Sequence, residues 1–218
     1  LLADAFAAQS VALSERTLPT DCDDLLALRK DGEIVAVSPL DRVMQSYLLV
    51  NTDRFTTSTR VFDGGLPTVL TNLDETLLDL RGYPVSNKEK LLLVLISRHI
   101  ERLAYEAGNG TLRSTFQRLS RLEDEPGTRR VYERLSGRTL DVHVYGVPDA
   151  SPTRLDATVH GGTSDEYRNC WCVVFHPEDG SKPAALVAHQ RDANRWKGFW
   201  TYDPERVERI DAYLERTF

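Results

Sequence analysis

Two short runs in the last quarter of the chain leave little freedom in how it can fold. Ala184-Ala185-Leu186-Val187-Ala188-His189-Gln190-Arg191 is aliphatic enough for a strand, and Arg195-Trp196-Lys197-Gly198-Phe199-Trp200-Thr201-Tyr202 is a second, aromatic-rich one. Asp203 then offers a helix N-cap, and Pro204 takes the first helical position, where its missing N–H costs nothing. Val207, Ile210 and Leu214 follow at helical spacing, so the segment continues into an amphipathic helix. Alternation along the second strand puts Trp196, Trp200 and Tyr202 on one face and Phe199 on the other.

The rest of the chain offers partners for this unit. Leu1–Gln9 reads as a short apolar helix, and Val11-Ala12-Leu13 as a brief strand. Two apolar runs around Asp31-Gly32 signal a β-hairpin, after which Ser38 and Pro39 read as the cap and first residue of a helix with Val43, Tyr47 and Leu48 inward. Asn51–Gly65 is polar and reads as a connector. Pro67 starts a short helix, and Thr76–Leu80 reads as a strand. Ser86-x-x-Glu89 is a capping box that opens the longest helix, ended by Gly108 in a left-handed cap. Strands at Thr111–Gln117 and Leu140–Tyr145, with a helix from Pro126 between them, complete a parallel βαβαβ alternation. Short right-handed crossovers would set its three strands side by side. A strand near Ala157–Val159 follows. Cys170–Phe175 is apolar on both faces, which predicts a central strand covered on both sides; it pairs with Ala185–Ala188, and Gly198–Tyr202 makes an antiparallel trio. The fold class is therefore α/β: one domain around a mixed sheet, with a parallel middle section, antiparallel strands at both ends and flanking helices. Its expected sections are 1–50 (helix, hairpin, capped helix), 66–148 (βαβαβ) and 155–218 (antiparallel strands and terminal helix).

Composition narrows the function classes. A net charge of −6 argues against binding a nucleic-acid backbone, and Arg129, Arg130, Arg134 and Arg138 read as a solvated helix face. Three cysteines, Cys22, Cys170 and Cys172, have no framework spacing and read as reduced thiols. No apolar run approaches the ~20 residues that span a membrane, and Leu1-Leu2-Ala3-Asp4 has no basic n-region, so a cytoplasmic location away from membranes is expected. Catalytic motifs are missing: there is no GxSxG elbow, no phosphate-cradling GxxxxGK[ST] loop and no HExxH. Gly108-Asn109-Gly110 lacks the third glycine of a dinucleotide fingerprint and lies between helix and strand in the wrong order. Cys170-Trp171-Cys172, even with His176 or His189 nearby, lacks the knuckle spacing of a metal site. His143, in an alternating apolar strand, reads as a hydrogen-bonded core imidazole rather than a catalytic base. Glu123, Asp124, Glu125, Asp165 and Glu166 read as solvated loop carboxylates.

The aromatic cluster supports two readings. It can be the sheet surface that packs under the long helix, or a ligand wall with Arg195 and Lys197 beside it to hold an anion or stack on a ring.

Several stretches also carry a family resemblance. Gly108-Asn109-Gly110-Thr111-Leu112 with Phe116-Gln117-Arg118-Leu119-Ser120, Asp141-Val142-His143-Val144-Tyr145-Gly146-Val147-Pro148-Asp149, and Ala185–Ala188 with Gly198-Phe199-Trp200-Thr201-Tyr202-Asp203-Pro204 resemble the DICT sensory domain. That domain is named for diguanylate cyclases and two-component systems, and this chain looks most similar to the versions in salt-loving archaea. The resemblance runs from about Val11 onward and is most specific at HVYG and GFWTYDP. It implies a regulatory module rather than an enzyme, with no cofactor. In this reading the module binds a small ligand or a signalling or transcription-regulator partner protein, and homodimers are expected to be compatible with it. The family has no agreed ligand residues to carry over. Cys170 and Cys172 stand where aromatic or aliphatic residues are expected. The ligand-binding set expected here is Phe116, Gln117, Tyr145, Arg195, Trp196, Phe199, Trp200 and Tyr202. The alternatives are a ligand-free interaction or dimerisation module and a small enzyme of unrecognised type.

Overall fold

Apolar periodicity and turn chemistry set most elements where the sequence predicts them. A computed structural model describes residues 11–17, 24–43, 66–81, 88–151, 155–193 and 195–218. Strands β1 (Leu25–Lys30) and β2 (Glu33–Pro39) form a two-stranded antiparallel sheet. Asp31 and Gly32 between them both have positive φ, as a tight primed turn requires. Helix α1 (Thr68–Thr71), β3 (Glu75–Arg81), the long α2 (Lys88–Ala107) and β4 (Asn109–Arg118) follow. Then come α3 (Arg121–Asp124), α4 (Pro126–Leu135), β5 (Thr139–Val147), β6 (Thr158–Gly161), α5 (Asp165–Asn169), β7 (Cys170–His176), β8 (Ala184–Asp192), β9 (Arg195–Thr201) and α6 (Pro204–Thr217).

Strands β3 to β9 make one seven-stranded sheet in the order β3-β9-β8-β7-β4-β5-β6. β4, β5 and β6 run parallel, and β7, β8, β9 and β3 are antiparallel to their neighbours. β7 is the middle strand, which explains apolar residues on both its faces: Cys172, Val173, Val174 and Phe175 are all buried. The aromatic strand β9 and the parallel strands therefore share one continuous sheet.

Some local expectations are corrected. β3 has the same direction as β4 and β5 but does not lie beside them; β7, β8 and β9 separate it from β4. The crossover can reach that far because α2, at 20 residues, is about 30 Å long, whereas four strand spacings are only about 19 Å. Residues 11–17 carry no strand. Ser38 ends up inside β2, buried, and its hydroxyl accepts the Val69 N–H of α1 at 3.1 Å, so it caps a different helix from the one expected. A helix does begin at residue 40, but Tyr47 and Leu48 lie outside the described residues, as do Leu1–Gln9, Cys22, Asn51–Gly65 and Ser86. Glu123 and Asp124 sit in α3, and Asp165 and Glu166 in α5, instead of in loops.

Helices cover both sheet faces. On one side Leu93, Ile96, Ile100 and Ala104 of α2 pack on Leu112, Val173, Phe175, Leu186, Trp196 and Trp200 in the main core, which Val131, Tyr132 and Leu135 of α4 extend. On the other side Val207 and Leu214 of α6 pack on Cys172, Val174 and Ala185 in a smaller cluster. α6 starts as its sequence predicts: Asp203 Oδ1 accepts the Arg206 N–H at 3.0 Å, with Pro204 in the first turn. Gly198 is demanded by packing, since an added Cβ would collide with the Val187 carbonyl and Ala188 on β8. Gly110, at φ +95°, meets the His176 carbonyl of β7 in the same way.

Candidate functional site

The eight expected ligand residues divide between the two faces of the sheet. Trp196 and Trp200 are 0% and 1% exposed beneath α2 and pack into the main core. Trp196 meets Trp171 edge to face at 5.9 Å, and the Trp171 indole N–H donates to Ser97 Oγ at 3.0 Å. Tyr202 belongs to the same core. Its hydroxyl lies 2.9 Å from His99 Nε2, and the Lys182 ammonium stands 3.7 Å over its ring. Arg102 Nη2 is 3.4 Å from His99 Nδ1 and can only donate, which assigns the proton to Nε2 and the acceptor role to Tyr202 Oη. Burial, then the nearby Arg102 and Lys182 charges, lower the His99 pKa to about 4, and burial raises the Tyr202 pKa. Arg195 begins β9 at the sheet end, half-buried.

Phe116 and Gln117 lie at a β-bulge. Between Thr115 and Arg118, β4 gains one residue on β5. Gln117 takes up the strain at φ +59°, which costs a non-glycine residue about 1–3 kcal/mol. Its amide offsets part of this by donating to the Arg168 carbonyl at 2.7 Å and approaching Gln190 Oε1 at 3.3 Å. Phe116 packs edge to face on Tyr132 at 5.2 Å and borders a void of about 40 Å³ shared with Trp171, room for one or two waters. Polar groups converge there. Arg98 is 2.5 Å from Glu101 and donates to Thr128 Oγ1 at 2.6 Å, while the Tyr132 hydroxyl is 2.6 Å from Ser114 Oγ and 3.1 Å from Glu101 Oε1. Burial pushes the Glu101 carboxyl up, opposed by Arg98 and Tyr132. The Arg98 guanidinium can only donate, so the Glu101 oxygen facing it accepts. This network is paired throughout and too small for a ligand; it locks α2, α4 and β4 together.

The opposite face is built differently. Cross-strand register aligns Cys172 with Val187 and Val187 with Phe199, one row facing α6. On α6, Arg206, Arg209, Ile210, Tyr213 and Leu214 recur at helical spacing on one side, and Phe218 follows at its C-cap. These residues, with Cys170, enclose a cavity of about 310 Å³. Arg113 of β4 donates to Asp211 at 2.8 Å and lies 3.6 Å from Glu215, and Arg206 pairs with Glu75 of β3, so α6 is tied to both sides of β7 and β8, over which it lies. The volume reaches the lower end of small-ligand sites. Only Phe199 of the expected set lines it. Its other walls were legible in sequence as the inner face of an amphipathic helix, which normally marks core, and a gap between two such faces has no sequence signal.

Tyr145 is on this face too, beyond the anchor. Arg113 Nη1 donates to its hydroxyl at 3.0 Å, and its ring stacks on His160 at 4.4 Å. His143 is half-buried, with Nδ1 2.9 Å from His160 Nε2 and Nε2 2.9 Å from Asp141. It is hydrogen-bonded as predicted but at the sheet margin instead of in the core. The Tyr167 hydroxyl donates to the Phe218 carbonyl and holds the far end of α6. Among the described residues, no cluster of three or more His, Cys, Asp or Glu side chains could hold a metal ion, and no helix is long and apolar enough to cross a membrane.

Comparison with known protein families gives a match for this chain. The DICT profile, described as a sensory domain in diguanylate cyclases and two-component systems, matches residues 67–191, more than half of the chain. The match takes in α1 through β8, including the HVYG strand; it stops before GFWTYDP and carries no archaeal assignment. No curated protein matches this chain. With α1, the mixed sheet up to β8 and the covering helices α2–α5 all inside the matched span, the chain belongs to the DICT family of sensory domains.

Proposed function

We propose that the chain works as a non-catalytic sensory module that binds a small, mainly apolar ligand in the cavity beneath α6 and passes its state to a transcriptional or two-component output. The observation that carries this reading is the 310 Å³ space between β7–β9 and the helix. Its walls are apolar, its rim carries Arg206 and Arg209, and one side is a single helix anchored at its ends and one flank. A ligand that fits better with α6 displaced would shift the population between two helix positions, and a partner reading that helix would register the change. The test is binding of 8-anilinonaphthalene-1-sulfonate, an apolar fluorescent anion. Ile210→Trp, which fills the space, should weaken its binding at least about tenfold, or 1.4 kcal/mol, with the melting temperature kept. Unchanged affinity in that variant would place the probe elsewhere and refute the assignment.

A second reading has its own support. Leu25, Val35 and Val37 share one face of the β1–β2 hairpin and are all 44% exposed or more, a grouping that suits contact with a partner protein or a second copy of the chain. If Val35→Lys abolishes partner or self-association while Ile210→Trp has no effect on signalling, the interaction reading replaces the ligand reading.

A further inference from the structure

Two free thiols, Cys170 and Cys172, open onto the cavity. They are two residues apart on β7, so both point at α6. By strand rise their Cα atoms are about 6.6 Å apart with parallel side chains, whereas a disulfide needs Cβ atoms at about 3.8 Å. The pair is therefore not placed to cycle as a disulfide while β7 keeps its shape. Thr115 holds that shape: its Oγ1 donates to the Cys170 carbonyl at 3.1 Å and accepts the Cys172 N–H at 2.8 Å.

The spacing does allow a hydrogen bond between the sulfurs, with the Cys172 thiol donating to Cys170. That bond and burial raise the Cys172 thiol well above the usual thiol range. The same bond pulls Cys170 below it, against its partial burial. The two cysteines thus have distinct parts, Cys172 as a buried donor and Cys170 as a half-buried acceptor at the cavity wall. Across the β7–β8 ladder His189 stands opposite Cys170, and its Nδ1 is shielded from solvent with no partner among the described residues.

We propose that Cys170 is the reactive group of this cavity and adds to small apolar electrophiles of the α,β-unsaturated carbonyl class. This rests on the reading of the cavity as a ligand site. The Cys170 sulfur bonds the β-carbon, the C=C electron pair moves toward the carbonyl, and the thiol proton ends on the α-carbon. The thiol adds across the double bond, with no leaving group and no oxidant. His189 is positioned to carry the proton, and Arg209 in the lining suits the negative charge that develops on the carbonyl oxygen. The walls favour an apolar chain over a hydrated oxidant, and the space equals about ten waters. An adduct there would stand between the sheet and α6, the element the sensory reading needs to move.

The experiment uses the protein with Cys22→Ser and the probe trans-2-nonenal, with adducts trapped by borohydride and followed by intact mass. One equivalent should add, map to Cys170, and form at least about tenfold faster than on glutathione at the same pH. Cys172→Ala should remove most of that advantage, and Cys172→Ser, which keeps a donor, should restore it. Addition no faster than to glutathione, mapping to Cys172, or the same rate in Cys172→Ala would overturn the proposal. Nonanal, the saturated analogue, separates the two layers by its displacement of 8-anilinonaphthalene-1-sulfonate. Displacement without nonenal addition defeats the thiol proposal and leaves the pocket standing; neither defeats both.

Discussion

Trp200 packs its whole ring between β9 and α2, so its truncation is a question of cavity and lost area. Trp200→Ala should cost about 3–5 kcal/mol, read as a lower urea midpoint at unchanged slope, while probe binding on the far side of the sheet changes far less than stability. A result with full stability and lost binding would return the tryptophans to the site. His99 supplies the pH dependence. Its folded pKa of about 4 lies below the ordinary 6.5 because burial penalises the imidazolium. The neutral ring's contribution is complete above pH 6.5 and is lost as pH falls toward 4, where the unfolded chain binds the proton and the folded one resists. Stability should drop by up to about 3 kcal/mol across that window, and His99→Gln should flatten the profile. An equal slope in that variant would assign the dependence to other groups. At this scale alternation did its work, since it separated Phe199 from Trp196 and Trp200. It could not tell which face would be filled and which left open.

The terminal helix is the element on which the functional reading turns. Its start is local chemistry, Asp203 capping the Arg206 amide with Pro204 behind it. Its seat is tertiary, fixed by Arg113 to Asp211 and by Tyr167 to the Phe218 carbonyl. Asp203→Ala should cost about 1 kcal/mol and speed amide exchange through the first turn of α6, with the exchange of α2 unaffected. If protection is lost equally in both helices, α6 does not open on its own and is a poor reporter of ligand. The bulge in β4 shows a different limit. Phe116 and Gln117 read as ordinary strand residues, and nothing in their order signals the positive φ that turns Gln117 toward Arg168 and Gln190.

For the whole molecule the telling fact is that the family match ends inside β8, while the sheet continues through β9 to β3. Fragment 67–191 would lack β9 and α6, exposing the β8 edge and separating β3 from the strand it pairs with. We expect it to lack cooperative unfolding and to aggregate, whereas a fragment running from residue 67 through Phe218 keeps the seven-stranded sheet. A sharp melting transition in the shorter piece would show that β9 is dispensable. The sequence alone determined the hairpin turn, the capped terminal helix, the antiparallel C-terminal trio, the parallel β4–β5 pair and the central place of β7, because each follows from local dihedral preference or a periodicity of two or 3.6. Only the tertiary structure decided that β3 pairs with β9 at the sheet edge, that Ser38 caps α1, and that the space lies under α6 while the opposite face is filled under α2. Those outcomes depend on how side chains far apart in sequence fill one volume, and the row Cys172, Val187 and Phe199 is left lining an open space under α6.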